Sequence, residues 1–324
     1  MPRPALQSSP KRYRASRLIA QFAKSAGLSE AQFCSAANLP KGAVSSLAPE
    51  QFLRAWAAYE ALSSQSLDLT VMQADWLSHF RADNYAFSCC GTLRRGFERL
   101  VAMRPISSPH HLYLGEREAF RISLQCDTGE VPTALRYREL FQLVALVRIA
   151  TNHRVEPVSI VSTQNHRLNG ELQDHLGIEV TQSDWCGIEL SIADAETPIG
   201  SSAQVLLAPF QEPVSNLEPD LTQHQVRAVL KKLLPSGDAT IEAAAARLNA
   251  TVRTLQRRLA AEGTSFAKVL EDTRRALAEQ YLKLQDVRVE EVAMLLGYRD
   301  PNSFYRAFQS WTGITPRRLR NMLG

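Results

Sequence analysis

Residues 289–308 of the chain read VEEVAMLLGYRDPNSFYRAF. This stretch is typical of a short apolar helix, a tight turn and a second helix. Gly297 can adopt the positive φ that such a turn needs, and Asp300 is a favourable N-cap residue. Pro301 then suits the first helical position, where the backbone has no use for an N–H donor. The stretch therefore predicts a helix-turn-helix unit.

An earlier stretch repeats this pattern. Residues 240–259 read TIEAAAARLNATVRTLQRRL. Here Asn249 takes the position of the turn glycine, and Thr251 is the predicted N-cap of the second helix. The two stretches together predict two helix-turn-helix units in the last hundred residues.

Apolar residues four positions apart indicate which face of each second helix is buried. Leu255 and Leu259 in one helix, and Phe304 and Phe308 in the other, should face the core. The opposite faces carry Arg, Gln and Asn, which can bind base edges in the major groove of DNA. The candidate DNA-binding residues are Arg253, Thr254, Gln256, Arg257, Asn302, Ser303, Tyr305 and Arg306.

A single long helix is predicted between the two units. From Ser265 to Gln285 the apolar residues form one continuous helical face. A helix of about 20 residues is about 30 Å long. This length approaches the roughly 34 Å between successive major grooves on one side of DNA, so one subunit could place both second helices in adjacent grooves.

Five short motifs stand in this region: LQRRL (255–259), EGTSF (262–266), AMLLGY (293–298), SFYRAF (303–308) and WTGITPRRLR (311–320). Together they resemble the signature of the AraC/XylS family of transcription regulators, over about the last hundred residues. The resemblance implies DNA contacts by six of the candidate residues, namely Arg253, Gln256, Arg257, Asn302, Ser303 and Arg306. The sequence departs from the family pattern at Asn249, where glycine is usual.

Charge and composition predict how the chain divides. From Thr222 onward there are 17 Lys and Arg against 10 Asp and Glu, whereas the remainder has 20 against 23. A basic C-terminal region attracts DNA phosphates, although a solvated basic face is an alternative. Residues 208–221 contain three prolines and show no hydrophobic period, which predicts a linker. The expected parts are a flexible arm (1–15), a regulatory and dimerisation domain (16–207), the linker (208–221) and the DNA-binding domain (222–324).

The predicted fold is an α+β N-terminal domain, with a small sheet and several helices, followed by an all-α domain with two helix-turn-helix units joined by a long helix. Alternating residues at 112–114 and 119–124, with a turn at Gly115, predict a hairpin. Further strands are predicted at 157–161 and 187–192, and helices at 49–62, 92–103 and 135–150. The order of these elements resembles AraC-type regulators with an arabinose-binding-like or ornithine-regulator-like sensory domain.

That second resemblance implies dimerisation and binding of a small-molecule effector in the N-terminal domain. The expected protein is a homodimer that binds double-stranded DNA and acts on transcription, either through RNA polymerase or by blocking it. An alternative is that the N-terminal domain is a ligand-free oligomerisation or protein-interaction module. The residues of an effector site are not indicated by any motif.

The motifs of common enzyme classes are missing from the sequence. There is no nucleophile elbow, phosphate-binding loop, dinucleotide fingerprint or zinc-protease motif. No enzymatic activity, cofactor or metal is therefore expected, and isolated histidines are more often structural than ligands (His110, His111, His166 and His175).

The cysteines and the hydropathy indicate a cytoplasmic protein without membrane contact. Five cysteines without a Cys-x-x-Cys pair favour buried thiols, and the adjacent Cys89 and Cys90 could sense oxidation only if exposed. Neither a signal peptide nor a run of about 18 apolar residues occurs.

Overall fold

The computed structural model describes residues 12–40, 44–63, 81–126, 130–163, 166–200, 221–284 and 287–323. Its helices are α1 (Ser16–Ser25), α2 (Glu30–Ala36), α3 (Pro49–Leu62), α4 (Ala82–Ser88), α5 (Leu93–Ser107), α6 (Thr133–Thr151), α7 (His166–Leu176), α8 (Ile192–Ala195), α9 (Thr222–Ser236), α10 (Ile241–Arg247), α11 (Val252–Ala261), α12 (Phe266–Lys283), α13 (Val289–Leu295), α14 (Pro301–Thr312) and α15 (Pro316–Leu323). Its strands are β1 (Tyr13–Arg14), β2 (Ser46–Leu47), β3 (His110–Glu116), β4 (Phe120–Cys126), β5 (Ser159–Ser162), β6 (Val180–Gln182) and β7 (Gly187–Leu190).

The chain forms two units. The sheet unit consists of Met1–His79 and Thr92–Ser202, and the helical unit consists of Phe80–Gly91 and Ala203–Gly324. Strands β1 to β7 all lie in the sheet unit. The N-terminal part is therefore a mixed α/β region with a small sheet, and the C-terminal part is helical, as the sequence predicted.

A five-stranded sheet organises the sheet unit, with strand order β3-β4-β7-β5-β6. The β5–β6 pair is parallel and the other pairs are antiparallel. Alternation along β4 buries Phe120, Ile122 and Leu124. Gly187 in β7 approaches the β4 backbone so closely that a Cβ there would lie 2.0 Å from the Ile122 carbonyl oxygen. No larger residue fits at this position.

Helices cover and extend the core of this unit. Helix α6 packs against both β7 and α3, which explains why it is buried along most of its length and has no simple amphipathic pattern. An aromatic cluster joins α1 to α3, because the Phe22 ring stacks on Tyr59 at 4.4 Å and meets Trp56 edge-on at 4.6 Å. A Ser29–Gln32 capping box begins α2.

The beginning of the described chain differs from the expected flexible arm. Tyr13 and Arg14 form β1, which pairs with β2. Tyr13 is 1% exposed and its hydroxyl donates to the Pro105 carbonyl at 3.4 Å. The last residues of the predicted arm are thus part of the folded unit, because Tyr13 supplies an apolar ring that the sequence pattern had not accounted for.

Two local predictions in the sheet unit are wrong. Gly115 lies inside β3 and not in the turn, which falls at residues 117–119. The predicted strand 187–192 ends at Leu190, because the Ser191 hydroxyl accepts the Asp194 N–H at 2.9 Å and starts α8. The alternating hydrophobic pattern continues past this cap and conceals the helix start.

In the helical unit, the described helices α9–α15 occupy the predicted DNA-binding region. They are joined by α4, whose residues the sequence analysis had assigned to the N-terminal domain. The predicted linker, 208–221, lies outside the described residues except for Leu221. None of the helices in the described part of the chain is both long and apolar enough to cross a membrane.

Candidate nucleic-acid interface

The first helix pair of the helical unit is α10 with α11. Thr240 caps α10 by accepting the Ala243 N–H at 3.1 Å, and Thr251 caps α11 by accepting the Thr254 N–H at 3.1 Å. Between them Asn249 has a φ of 49°. The Ala250 N–H donates to the Ala245 carbonyl at 2.9 Å, which closes the end of α10. Asn249 therefore provides the left-handed conformation that glycine would otherwise supply.

The second helix pair is α13 with α14, and it repeats this turn. Gly297 has a φ of 74°, and the Tyr298 N–H donates to the Ala293 carbonyl at 3.0 Å. Asp300 caps α14 by accepting the Ser303 N–H at 3.0 Å, with Pro301 at the first helical position. The second turn has one residue more than the first between its positive-φ residue and its cap. Both predicted caps of the second helices are confirmed.

The inner faces of the two second helices are apolar and fully buried. Leu255, Leu259, Phe304 and Phe308 each have 0% exposure. The Phe304 ring lies 5.6 Å from Phe308 and 5.7 Å from Tyr298, measured between centroids. The predicted orientation of both helices is confirmed, and it fixes which residues point away from the core.

The outer face of α11 carries three exposed polar residues. Arg253, Gln256 and Arg257 are all exposed. Thr254 is half-buried, and its hydroxyl lies 2.9 Å from that of Thr251 at the helix start. The structure thus brings the two arginines and the glutamine to one open surface, while Thr254 takes part in capping.

The corresponding face of α14 carries Asn302 and Arg306, which are exposed. Ser303 is half-buried, and its hydroxyl donates to the Asp300 carboxylate at 2.6 Å. It also accepts a hydrogen bond from Arg306 Nη2 at 3.3 Å. Ser303 therefore orients Arg306 and stabilises the helix start, in addition to any contact of its own.

Tyr305 is placed differently from the other candidates. It is half-buried and its hydroxyl is buried, beside Arg317 of α15 and Glu290 of α13. Burial raises the pKa of this hydroxyl, against the opposing effect of Arg317. Arg317 in turn lies 3.4 Å from Glu290. Tyr305 thus helps to join α14 to its neighbours rather than lying on the open face.

Helix α12 connects the two pairs and holds the second one in place. It has 18 residues, begins at the Ser265 cap and is about 27 Å long, close to the predicted spacer. The Arg274 side chain donates from Nε to the Leu296 carbonyl at 3.0 Å. Trp311 of α14 donates from its indole nitrogen to Glu271 of α12 at 2.9 Å. The turn of the second pair and the last part of α14 are therefore anchored on α12.

Glu262 fixes the start of α9 to the end of α11. Its two carboxylate oxygens accept the N–H groups of Thr222 at 2.6 Å and Gln223 at 2.9 Å. Burial raises the pKa of Glu262, but the N–H donors of Gln223 and Thr222 outweigh it, so the net effect is a lowered pKa. A carboxylate here satisfies N–H groups that no helical carbonyl can reach.

Sequence reasoning did not single out Arg274, Glu262 or Trp311 as residues that position the interface. Glu262 and Trp311 stand inside the family motifs, which was the available signal. Arg274 lies 22 residues before the carbonyl to which it donates, and no periodicity indicates such a pairing.

His110 of the sheet unit has structural surroundings. His110 is fully buried, 2.5 Å from the Ser108 hydroxyl through Nδ1 and 3.4 Å from Glu139 through Nε2. Burial lowers the pKa of His110 despite the nearby Glu139 carboxylate. The described residues contain no group of three or more His, Cys, Asp or Glu side chains that could hold a metal ion.

The cysteine prediction is largely confirmed. Cys34, Cys89, Cys90 and Cys186 are buried, whereas Cys126 is half-buried. Burial raises the pKa of both the Cys89 and the Cys186 thiol to about 12. Such thiols resist oxidation and alkylation while they stay buried.

Comparison with known proteins finds partial matches to the helical unit. A model described as a helix-turn-helix domain matches residues 244–322. The HTH-type transcriptional regulator VirS of Mycobacterium tuberculosis is 36% identical over 140 residues, which are 42% of this chain and 41% of VirS. The ornithine utilization regulator of Pseudomonas aeruginosa is 41% identical over 86 residues, 26% of this chain and 25% of that protein.

The matches to these two relatives are partial, and the match to VirS spans about two fifths of its length. Among solved structures, the transcriptional regulator CdpR of Pseudomonas aeruginosa aligns over 93% of this chain and 98% of its own. That alignment has 19% sequence identity and a TM-score of 0.38.

Proposed function

The C-terminal region of this chain belongs to the AraC-type helix-turn-helix family, and from this premise we propose that the protein is a sequence-specific DNA-binding transcription regulator. The observation that supports this most directly is the shared build of the two helix pairs. Each second helix buries an apolar face and exposes an arginine opposite it, Arg257 in α11 and Arg306 in α14. We infer that the two pairs are two helix-turn-helix units.

The chemistry of the exposed side chains suits double-stranded DNA. An arginine can donate two hydrogen bonds to guanine, and glutamine or asparagine can pair with adenine in the same way. Arg253, Gln256, Arg257, Asn302 and Arg306 are the residues proposed to contact bases. Thr254, Ser303 and Tyr305 are proposed to contribute mainly by fixing these helices, because their hydroxyl groups are near other side chains of the unit.

Two second helices in one subunit favour a long asymmetric site. The length of α12, about 27 Å, is compatible with adjacent major grooves on one side of the duplex. We further propose that the sheet unit forms a homodimer, so that the complete site contains two related half-sites. Activation follows where the bound dimer contacts RNA polymerase, and repression where it covers a promoter.

The sheet unit is proposed to bind a small-molecule effector, as the resemblance to sensory domains of this family implies. The competing proposal is a ligand-free oligomerisation module. Thermal unfolding of the full-length protein distinguishes them. An effector raises the melting temperature at constant protein concentration, whereas a pure dimerisation module responds to protein concentration alone.

The test of DNA recognition is selection of bound fragments from genomic DNA by the purified full-length protein. We expect one enriched motif, present as paired copies at a fixed spacing, and affinity that falls steeply with salt. Retention of fragments without any common motif, under conditions in which the protein is folded and dimeric, would contradict sequence-specific binding.

A further inference from the structure

Helix α4 is buried on every side although it is only seven residues long. Its residues from Ala82 to Phe87 are all buried, and so are Cys89 and Cys90 immediately after it. A helix without a solvent-exposed face is a core element of the unit that encloses it. The enclosing unit is the helical unit, although the sequence around α4 comes from the N-terminal part of the chain.

The contacts of α4 join parts of the helical unit that hold the proposed DNA-binding helices. It packs against α9 and against α13, the first helix of the second pair. The Tyr85 hydroxyl lies 3.4 Å from the Tyr281 hydroxyl of α12, and the two rings meet edge-on with centroids 6.3 Å apart. The helix therefore contacts α9, α12 and α13, the elements that support the second pair.

The chain leaves α4 with almost no slack. Cys90 is buried in the helical unit, and Thr92 already caps α5 of the sheet unit by accepting the Arg95 N–H at 3.4 Å. Only Gly91 separates these two residues. The connection between the buried end of the α4 segment and the cap of α5 is thus a single residue.

We propose that α4 is a regulatory helix through which the sheet unit controls the second helix pair. Seated between α9 and α13, residues 81–90 hold α13 in its present position and, through it, α14. When α4 leaves this groove, α13 loses one of its packing partners and α14 is no longer held for DNA binding. This inference rests on the proposed function, because it assigns a control element to the same DNA-binding surface.

Thermodynamic linkage gives the proposal a measurable consequence. If seating of α4 strengthens DNA binding by some factor, then bound DNA must stabilise the seated state by that same factor. The natural thiols report this state, so no cysteine has to be introduced. Cys89 follows α4, and Cys186 is a matched reference in the sheet unit because both thiols are buried with a pKa raised to about 12.

The experiment measures alkylation of each cysteine in the full-length protein by N-ethylmaleimide, with mass spectrometry resolving the individual residues. The alkylation rates are measured in the presence of the duplex that the protein itself selects and, for comparison, in the presence of a scrambled duplex of equal length. We expect the selected duplex to slow alkylation at Cys89 by about tenfold or more while Cys186 keeps its rate. An unchanged rate at Cys89, or equal slowing at both cysteines, would overturn the role of α4.

Two variants separate seating from coupling. Tyr85→Ala should accelerate alkylation at Cys89, leave Cys186 unchanged and remove the footprint over the bases bound by α14 while that of α11 persists. Insertion of Gly-Ser-Gly-Ser between Gly91 and Thr92 alters no contact of α4. In the wild-type protein, selected DNA should also slow hydrogen exchange in the first turn of α5, because only Gly91 separates Thr92 from the residues that follow α4. The insertion should leave Cys89 protected but abolish this slowing in α5.

The outcomes distinguish this inference from the proposed function. Suppose that the wild-type protein binds a motif and that Tyr85→Ala still gives a complete footprint over both parts of the site. This result contradicts the role of α4 but leaves the proposed function intact. If Tyr85→Ala does not fold, the insertion variant decides, and persistence of the DNA effect in α5 after insertion refutes the coupling. If the wild-type protein binds no motif, the proposed function is contradicted, and this inference is contradicted with it.

Discussion

The guanidinium of Arg274 lies over the ring of Tyr298, 4.7 Å from its centroid, and thereby fixes the turn of the second helix pair to α12. The same side chain donates to the Leu296 carbonyl at 3.0 Å, one residue before Gly297. Among the described residues no cation–π contact of this kind supports the first turn, which is one residue shorter. The longer turn is thus supported by a stacked cation.

Removal of this support should destabilise the helical unit. Arg274→Ala loses a cation–π contact and a hydrogen bond to a backbone carbonyl, and we expect a loss of about 1–3 kcal/mol in the free energy of unfolding. Arg274→Lys keeps the charge but not the planar donor and should recover only part of it. The matched control is Arg275→Ala, whose exposed partner Glu279 lies 3.7 Å away. Equal unfolding free energies for the 274 and 275 variants would contradict the anchoring role.

Asn249 should tolerate glycine but not alanine. Its φ of 49° lies in the left-handed region, which costs an alanine roughly 1 kcal/mol or more. Asn249→Gly restores the residue usual in the family and should change stability by less than about 0.5 kcal/mol, since the relief of the turn is offset by a more flexible unfolded chain. Urea unfolding of the two variants measures the difference. Asn249→Ala as stable as wild type would show that the turn is not strained.

Glu262 makes a pH-dependent contribution to stability. Its folded pKa lies below the ordinary value of 4.5, so the carboxylate stabilises the fold above the unfolded pKa and loses this effect as the pH falls through the folded pKa. Glu262→Gln should cost about 1 kcal/mol at neutral pH, in the range of a helix-cap loss. The difference from wild type should shrink below pH 4.5.

The control for this prediction is Glu279→Gln, because Glu279 is half exposed and paired within its own helix. Urea unfolding between pH 3 and 7, roughly the range over which carboxylates titrate, gives both curves. A constant difference between Glu262→Gln and wild type across this range would refute the assigned cause.

A buried ionic cluster should make the sheet unit intolerant of charge removal. Glu139 has 0% exposure, and its oxygens lie 3.3 Å from Arg104 and 2.7 Å from Arg138. Burial alone would raise the pKa of Glu139, but Arg104, His110 and Arg138 together hold it well below the ordinary value. Glu139→Gln leaves the fully buried Arg104 without this carboxylate and should cost about 3–5 kcal/mol.

Glu156→Gln is the comparison for this variant, because Glu156 pairs with Arg148 at 2.8 Å but is 44% exposed. Its loss should be within about 1 kcal/mol. Chemical denaturation of the full-length protein, followed by tryptophan fluorescence, measures both. Similar losses for the two variants would contradict the importance of burial.

The sequence predicted the elements whose pattern is local. Leu255, Leu259, Phe304 and Phe308 repeat every four residues, and the caps at Thr251 and Asp300 stand immediately before their helices. Helix–turn geometry depends on such short-range chemistry. The same reasoning placed α3 at its observed bounds.

The sequence did not predict the features that arise from tertiary packing. Helix α4 is enclosed on all sides, so it has no polar face and no period that separates it from a loop or strand. The assignment of 81–90 to a unit depends on contacts with residues about 200 positions later, such as Tyr281. The start of α8 was missed because the alternating pattern of β7 runs into it, and only the Ser191 cap marks the change.

The central claim is that α11 and α14 contact DNA bases through Arg257 and Arg306. The most direct measurement is base-resolved binding preference of the full-length protein, compared among wild type, Arg257→Ala, Arg306→Ala and Arg258→Ala. Arg258 is exposed on the same helix as Arg257 but lies off its outer face. We expect Arg257→Ala and Arg306→Ala each to lose about 1–3 kcal/mol and to relax preference at one base position, a different one for each. Arg258→Ala should keep the full preference, and an unchanged base preference in the first two variants would contradict the account.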